Sequence, residues 1–227
     1  MSRTQVDACQ RGPEIRQACY SDHTAIRDFL GGLSLRARYL RFFTGALSTG
    51  PAMLRMAGEC CDGVFLHPLH SADYLRATAL PAVAAGARAA GRERDAVTVC
   101  CPVFVAVGET QQEIDRQRAG IARQIAFYGS TRTYRPVFEA HGWGDVCDRL
   151  HELLARGDTA AMTAQITGEM LDAYSVAATW EELPGVLARR YGGLVDRVAP
   201  YGADLGSASG RERWRALVAS SATNRMI

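Results

Sequence analysis

The sequence predicts an α/β protein in which a mainly parallel sheet is covered by helices. Three observations carry this expectation. Strand-like and helix-like segments alternate from Gly45 onward, the longest apolar run is rich in β-branched residues, and two Thr-x-x-Glu capping boxes open helices directly after strand candidates.

The 227 residues are 48% hydrophobic and 22% charged, enough for an ordinary core and for one large domain, or one medium domain with an appendage. Against 24 acidic residues stand 26 basic ones, a formal charge of +2. No Lys or Arg run is dense enough to neutralise a phosphate backbone, so nucleic acid is not an implied partner. No segment approaches the ~20 apolar residues of a membrane span, and no apolar signal region opens the chain, which points to a cytoplasmic protein without a membrane partner. The cysteines fall as the pairs Cys60–Cys61 and Cys100–Cys101 and as isolated Cys9, Cys19 and Cys147. None makes a Cys-x-x-Cys knuckle, and neighbours in a strand point to opposite faces, so small buried thiols are expected and no metal site.

The first dozen residues are polar and aperiodic, as in a loose leader. Glu14–Ala18 is a short strand candidate, and Ser21 and Asp22 can cap a helix over about Thr24–Leu30 that Gly31–Gly32 ends. In Leu35–Phe43 the residues Leu35, Tyr39, Leu40 and Phe43 share a helical face while Arg36, Arg38 and Arg41 reach water. Pro51 suits a first helical turn, and that helix runs to Glu59. A strand over Gly63–His67 follows. Ser71 then caps a long helix to about Ala90, with Leu75, Ala79 and Val83 on one face and a slight bend at Pro81.

Val97–Val107 reads as a buried strand in which Pro102 requires a bulge or an unpaired position. Thr110 and Glu113 open the next helix, whose buried stripe is Ile114, Ile121, Ile125 and Tyr128. Ser130–Asp158 is less regular, with a turn at His141–Gly144 and a helix over about Asp145–Ala155 carrying Val146, Leu150, Leu153 and Leu154. One helix is expected over Ala160–Ala173 with Met162, Ile166 and Met170 inward, then an extended Tyr174–Ala178. Thr179 and Glu182 start a helix ending near Tyr191 and Gly192. A last strand spans about Val195–Pro200, residues 204–210 are a polar linker, and RERWRALVA adds a closing helix. So few strands cannot close an eight-stranded barrel, which usually needs ~250 residues. A sheet edge is left open or is covered by another chain, and a homo-oligomer through that edge is the protein partner expected.

The stretch GPAMLRMAGECCDGVFLHPLHSADYLRATALPAVAAGARAAGR, followed in order by CPVFVAVG, QIAFYGSTRTYRPVFEAHGWGD and ITGEMLDAYSVAATWEELPGVLARRYGGLVDRV, resembles the C-terminal part of luciferase-like, coenzyme F420-dependent oxidoreductases over about Thr49–Tyr201. The resemblance implies a partial TIM barrel with one insertion, at 46–205, between an N-terminal strand-helix appendage at 1–45 and a C-terminal tail at 206–227. It implies hydride transfer between coenzyme F420, or FMN as the alternative, and a small organic substrate; some members of the family are monooxygenases. The early strands that supply much of the ring pocket in that family have no counterpart before Gly45, so the expected product is a truncated domain, either still an oxidoreductase or an inactive, protein-binding remnant. Glu14–Gly45 resembles instead the opening segment of GNAT acetyltransferases, without their acetyl-CoA phosphate loop, and transferase activity is not implied.

Gly50, Pro51, Ala52 and Met53 resemble the element beneath the cofactor's phosphate-bearing tail. The first N–H groups of a helix lack internal partners, which suits an anion, although a plain Gly-Pro helix start needs no ligand. His67 and His70 fall at the carboxyl end of a strand and in the loop beyond it, the face on which barrel enzymes place their chemistry. They either contact cofactor or substrate or are hydrogen-bonded loop histidines; as a metal site the pair lacks a third ligand. His141 and Trp143 line a substrate pocket or anchor the insert. His151, Glu169, Asp172, Tyr191 and Arg197 read as packing or solvent-facing residues, no G-x-G-x-x-G occurs, and no catalytic residue is assigned.

Overall fold

A computed structural model describes residues 50–201 and 208–222, all within a compact unit that runs from Gly45 to Ile227. The expected appendage, with its GNAT-like strand, helix and arginine stretch, lies outside the described residues. The helix α1 (Pro51–Cys60) leads to β1 (Gly63–Phe65), then to α2 (Ala72–Tyr74), a π-helical stretch (Leu75–Ala79) and α3 (Leu80–Ala89). After β2 (Thr98–Gly108) come α4 (Gln111–Gly129), α5 (Arg135–Glu139), α6 (Gly144–Ala155), α7 (Thr159–Ala164) and α8 (Gly168–Tyr174). The chain returns to the sheet with β3 (Ser175–Thr179), α9 (Leu183–Tyr191), β4 (Arg197–Tyr201) and α10 (Ala208–Ala222).

All pairings in this four-stranded sheet are parallel and all are made by β2. β1 pairs with Thr98–Cys100, β4 with Cys100–Phe104 and β3 with Phe104–Gly108. Thr98 N–H and Cys100 C=O bond to the β1 side, whereas Val99 gives its N–H and C=O to Asp196, just before β4. By this alternation Pro102 points to the edge where the β1 ladder has ended and the β3 ladder has not begun, so its missing N–H leaves no ladder bond unmade. The same alternation turns Val107 to the other edge, past the end of β4, where the Gln117 side-chain amide accepts its N–H and donates to its carbonyl.

One face of the sheet is apolar and covered. Val64, Leu66, Val99, Cys101, Val103, Val105, Val107 and Val176 lie on it and are buried. The opposite face is more open: Phe65 is 55% exposed, Arg197 is exposed, and Ala177, Ala199 and Tyr201 are half-buried. No helix among the described residues is long and apolar enough to cross a membrane.

Helix starts follow local chemistry. Ser71 Oγ accepts from Tyr74 N–H (3.1 Å), and Thr110 Oγ1 accepts from Glu113 N–H (3.3 Å). Glu113 reaches back to the Glu109 N–H (2.8 Å) rather than to Thr110 itself. Thr179 and Glu182 bond reciprocally, Thr179 N–H to the carboxylate (3.1 Å) and Glu182 N–H to the hydroxyl (3.3 Å). The Thr179 hydroxyl (2.8 Å) and N–H, both donating to the carboxylate, hold the Glu182 carboxyl below its ordinary pKa.

Four expectations change. The long helix after Ser71 is not merely bent by Pro81; it passes through a π turn, closed by Leu80 N–H to Leu75 C=O, just before the proline. Proline cannot donate to the carbonyl four residues back, and widening the preceding turn accommodates that loss. The single helix expected over Ala160–Ala173 is two, because the Thr167 side chain accepts from Met170 N–H and starts a new one. Met162, Ile166 and Met170 nonetheless all face inward. Leu154 on α6 is exposed while Val146 and Leu150 are buried. Cys60 is exposed rather than buried, its thiol donating to Met56 C=O (3.0 Å) along α1. Thr167→Ala should cost about 1 kcal/mol, read as a lower urea midpoint with unchanged slope; an unchanged midpoint would show that packing, not the cap, divides α7 from α8.

Candidate functional site

The loop after β1, Leu66-His67-Pro68-Leu69-His70-Ser71, is buried throughout. His67 Nδ1 accepts from Leu69 N–H (3.1 Å), which places the proton of a neutral ring on Nε2. His70 Nδ1 lies 2.9 Å from His67 C=O and must donate to it, so its Nε2 is the acceptor for the Cys101 thiol at 3.0 Å. The two imidazoles are thus opposite tautomers. Both are held to a pKa of about 4, His67 by burial and then by the charge of His70, and His70 by burial against the partly compensating His67 carbonyl.

Three positions apart in sequence, they serve different faces. His70 points with Cys101 into the covered side of the sheet, edge-on to Tyr191 of α9 (5.9 Å), and burial pushes both the Cys101 thiol and the Tyr191 phenol up. His67 joins the aromatic group on the other side. Its ring lies 4.6 Å from Tyr128 at the end of α4 and 4.5 Å from Tyr134. Phe104 of β2 packs edge-on to Tyr201 of β4 (5.3 Å), and the Tyr128 and Tyr201 hydroxyls meet at 3.2 Å. Burial, with the Tyr201 hydrogen bond and charge, pushes Tyr128 up to about 12, and burial followed by Tyr201 raises Tyr134. At neutral pH the group offers phenol and imidazole donors and no charge. Such a surface can hydrogen-bond the carbonyl edge of a flat ring.

Tyr128 was legible only as the last residue of a buried stripe, and Tyr134 and Tyr201 carried no local signal at all. His141 and Trp143 anchor the insert: their rings stack at 4.6 Å, His141 Nε2 lies 2.7 Å from Ser71 Oγ, and Tyr174 is edge-on to both. Asp172 pairs with Arg118 of α4 at 2.8 Å, and His151 Nδ1 bonds Ser130 C=O at 3.1 Å.

Gly50 is extended (φ −66°, ψ 135°) and its carbonyl accepts from Met53 and Leu54 N–H. Gly50 at the N-cap has no side chain with which to cap α1; Pro51 and Ala52 are exposed and Met53 is half-buried. Because α1 ends just before β1 begins, its start lies toward the carboxyl end of the sheet, the end that carries His67. Among the described residues no group of three or more His, Cys, Asp or Glu could hold a metal ion.

Parallel strands joined by helices, with hydrogen-bonding groups gathered at the carboxyl end, define one wall of a barrel-type α/β domain. Residues 36–197 match the family model described as luciferase-like monooxygenase, and the chain belongs to that family. An uncharacterized protein of Mycobacterium tuberculosis is 42% identical over 160 residues, 70% of this chain and 46% of that relative. The 5,10-methylenetetrahydromethanopterin reductase of Archaeoglobus fulgidus is 32% identical over 139 residues, 59% of this chain and 40% of its own. In fold, the coenzyme F420 dependent tetrahydromethanopterin reductase of Methanopyrus kandleri matches 73% of this chain and 46% of its own with a TM-score of 0.56 at 20% identity. The chain spans about half the length of the curated relatives it matches.

Proposed function

We propose that this domain binds coenzyme F420 and takes part in hydride transfer to or from a small organic molecule, with FMN as the alternative cofactor. The observation that carries the reading is the neutral His67 Nε2–H set among Tyr128 and Tyr134 at the carboxyl end of β1. The name of the Archaeoglobus fulgidus relative marks it as a reductase, and that of the Methanopyrus kandleri structure names F420.

The residues fit such a group. The start of α1, Gly50, Pro51, Ala52 and Met53, suits an anionic tail, since Gly50 presents no side chain there and the helix dipole favours negative charge. His67 and the phenols suit a ring carbonyl, and Phe104 supplies an apolar backing. When bound, the deazaflavin supplies the hydride-carrying carbon. The chain's part is to orient the ring, to exclude water on the covered side and to keep His67 uncharged so that it donates without protonating its partner. His70, enclosed between sheet and helices, supports this loop through Cys101 rather than reaching the ligand.

A second reading is an inactive or protein-binding form of the domain. The half-open face of β4 and the exposed Phe65 support it, and association of a second copy through that face belongs to the same reading. Titration of the purified chain with oxidised F420 and with FMN, followed by fluorescence, separates the two. Saturable 1:1 binding of F420, weakened about threefold to tenfold by His67→Ala, is the expected outcome. Absence of a response to either cofactor would overturn the hydride-transfer reading in favour of the second.

A further inference from the structure

A cleft of about 420 Å³ opens at the carboxyl ends of β2 and β3, within the size range of small-molecule sites. Glu109 follows β2 directly, Trp180 and Glu181 follow β3, Pro184 lies in the first turn of α9, and Arg213 and Leu217 come from α10. Its walls are therefore apolar at Trp180, Pro184 and Leu217, and among the described residues its charge is confined to Glu109, Glu181 and Arg213.

Those charges are unequally committed. Arg213 Nη1 pairs with Glu109 Oε1 at 2.9 Å, and its guanidinium carbon lies 5.7 Å from the centre of the Trp180 ring. Trp180 is held from behind by Trp214, edge-on at 5.1 Å. Glu182 is turned away into its bonds with Thr179. The Glu181 carboxylate makes no hydrogen bond or ion pair among the described residues. The cleft thus carries one neutralised pair and one unspent negative charge beside an indole face.

We propose that this cleft binds a small organic cation, an ammonium group on an aromatic body. The ammonium is drawn to Glu181 and the ring lies on the Trp180–Leu217 wall. An anionic ligand fits poorly, because it must displace Glu109 from Arg213 while facing a second carboxylate in the same cleft. The site is separate from the His67 group and does not depend on cofactor binding.

The test uses two probes that share a ring and differ in charge, 1-naphthylmethylamine and 1-naphthylacetate. Each is titrated into the full chain at low ionic strength and followed by ligand-observed NMR. The expected result is that the amine binds at least about fivefold more tightly than the acid. Glu181→Gln should weaken the amine about threefold to fivefold and leave the acid unchanged or tighter. Trp180→Ala should weaken both probes, while Trp180→Phe, which keeps a flat ring against Trp214, should hold amine binding within about twofold. Equal or tighter binding of the acid, or indifference of the amine to Glu181→Gln, would overturn the assignment. F420 titration of Glu181→Gln should match the unaltered chain, so failure here and failure of the cofactor reading are distinguishable.

Discussion

Replacing Gly86 by alanine should lower the thermal midpoint of the domain by about 6–12 °C, a loss of about 3 kcal/mol. In an exposed helix the same change is favourable by roughly 0.8–1 kcal/mol, because alanine has the higher helix propensity. The contact reverses the sign. A Cβ at Gly86 of α3 would sit 1.8 Å from the Arg55 carbonyl oxygen of α1, and one at Gly58 of α1 would sit 2.1 Å from the Val83 carbonyl oxygen of α3. Both obstacles are backbone, which cannot rotate aside as a side chain can, so the two helices must separate and unpack Leu54, Ala57, Val83 and Ala87. Gly120→Ala in α4 is the control: its new Cβ meets only the Arg123 guanidinium at 3.7 Å, and the propensity gain should appear as a small rise in midpoint. If both substitutions raised the midpoint, α1 and α3 would not be in backbone contact.

Lowering the pH from 7 to 5 should remove about 2–4 kcal/mol of stability, through His67 and His70. Each imidazole has a pKa of about 4 in the folded domain against 6.5 in the open chain. Above pH 6.5 neither state takes up a proton there, and the stability is fully present. Between 6.5 and 4 the unfolded chain binds protons that the folded domain refuses. Stability therefore falls with pH through this window, by up to about 1.4 kcal/mol per pH unit for each histidine. With the same displacement, the two histidines should contribute about equally. Urea unfolding at pH 7, 6 and 5 reads the slope directly. His70→Asn, which keeps a donor for the His67 carbonyl, should reduce the proton uptake on unfolding by about one. Equal stability at pH 7 and pH 5 would mean that the two rings already meet solvent in the folded state.

Much of the fold was legible because its signals are local. Ser71 and Thr110 cap helices, and Thr179 closes the turn before α9, through side chains that reach only three residues along the chain. The β-branched Val97–Val107 run reads as a buried strand, and β2 is the central strand, pairing with β1, β3 and β4. The division between α7 and α8 was hidden by spacing: Met162, Ile166 and Met170 keep a four-residue rhythm across the break, so the stripe looks continuous although Thr167 restarts the helix.

The site was legible in part. His67 and His70 stood out by residue type at the end of a strand, but three residues of irregular loop decide which face each ring enters, and Pro68 leaves that choice open in the sequence. Tyr128, Tyr134 and Tyr201 come from α4, the turn after it and β4, with the two hydroxyl-bonded tyrosines 73 residues apart. No local rule joins them.

The sequence alone determined the alternation of strands and helices, the helix starts at Pro51, Ser71 and Thr110 and most of the apolar stripes, since these depend on backbone geometry and hydrogen bonds within a few residues. The tertiary structure alone decided that His70 faces Cys101 while His67 faces the tyrosines, that Arg213 is spent on Glu109 while Glu181 is not, and that α1 meets α3 backbone to backbone. These are contacts between segments distant in the chain, and their partners exist only once strand register and helix packing have brought the segments together.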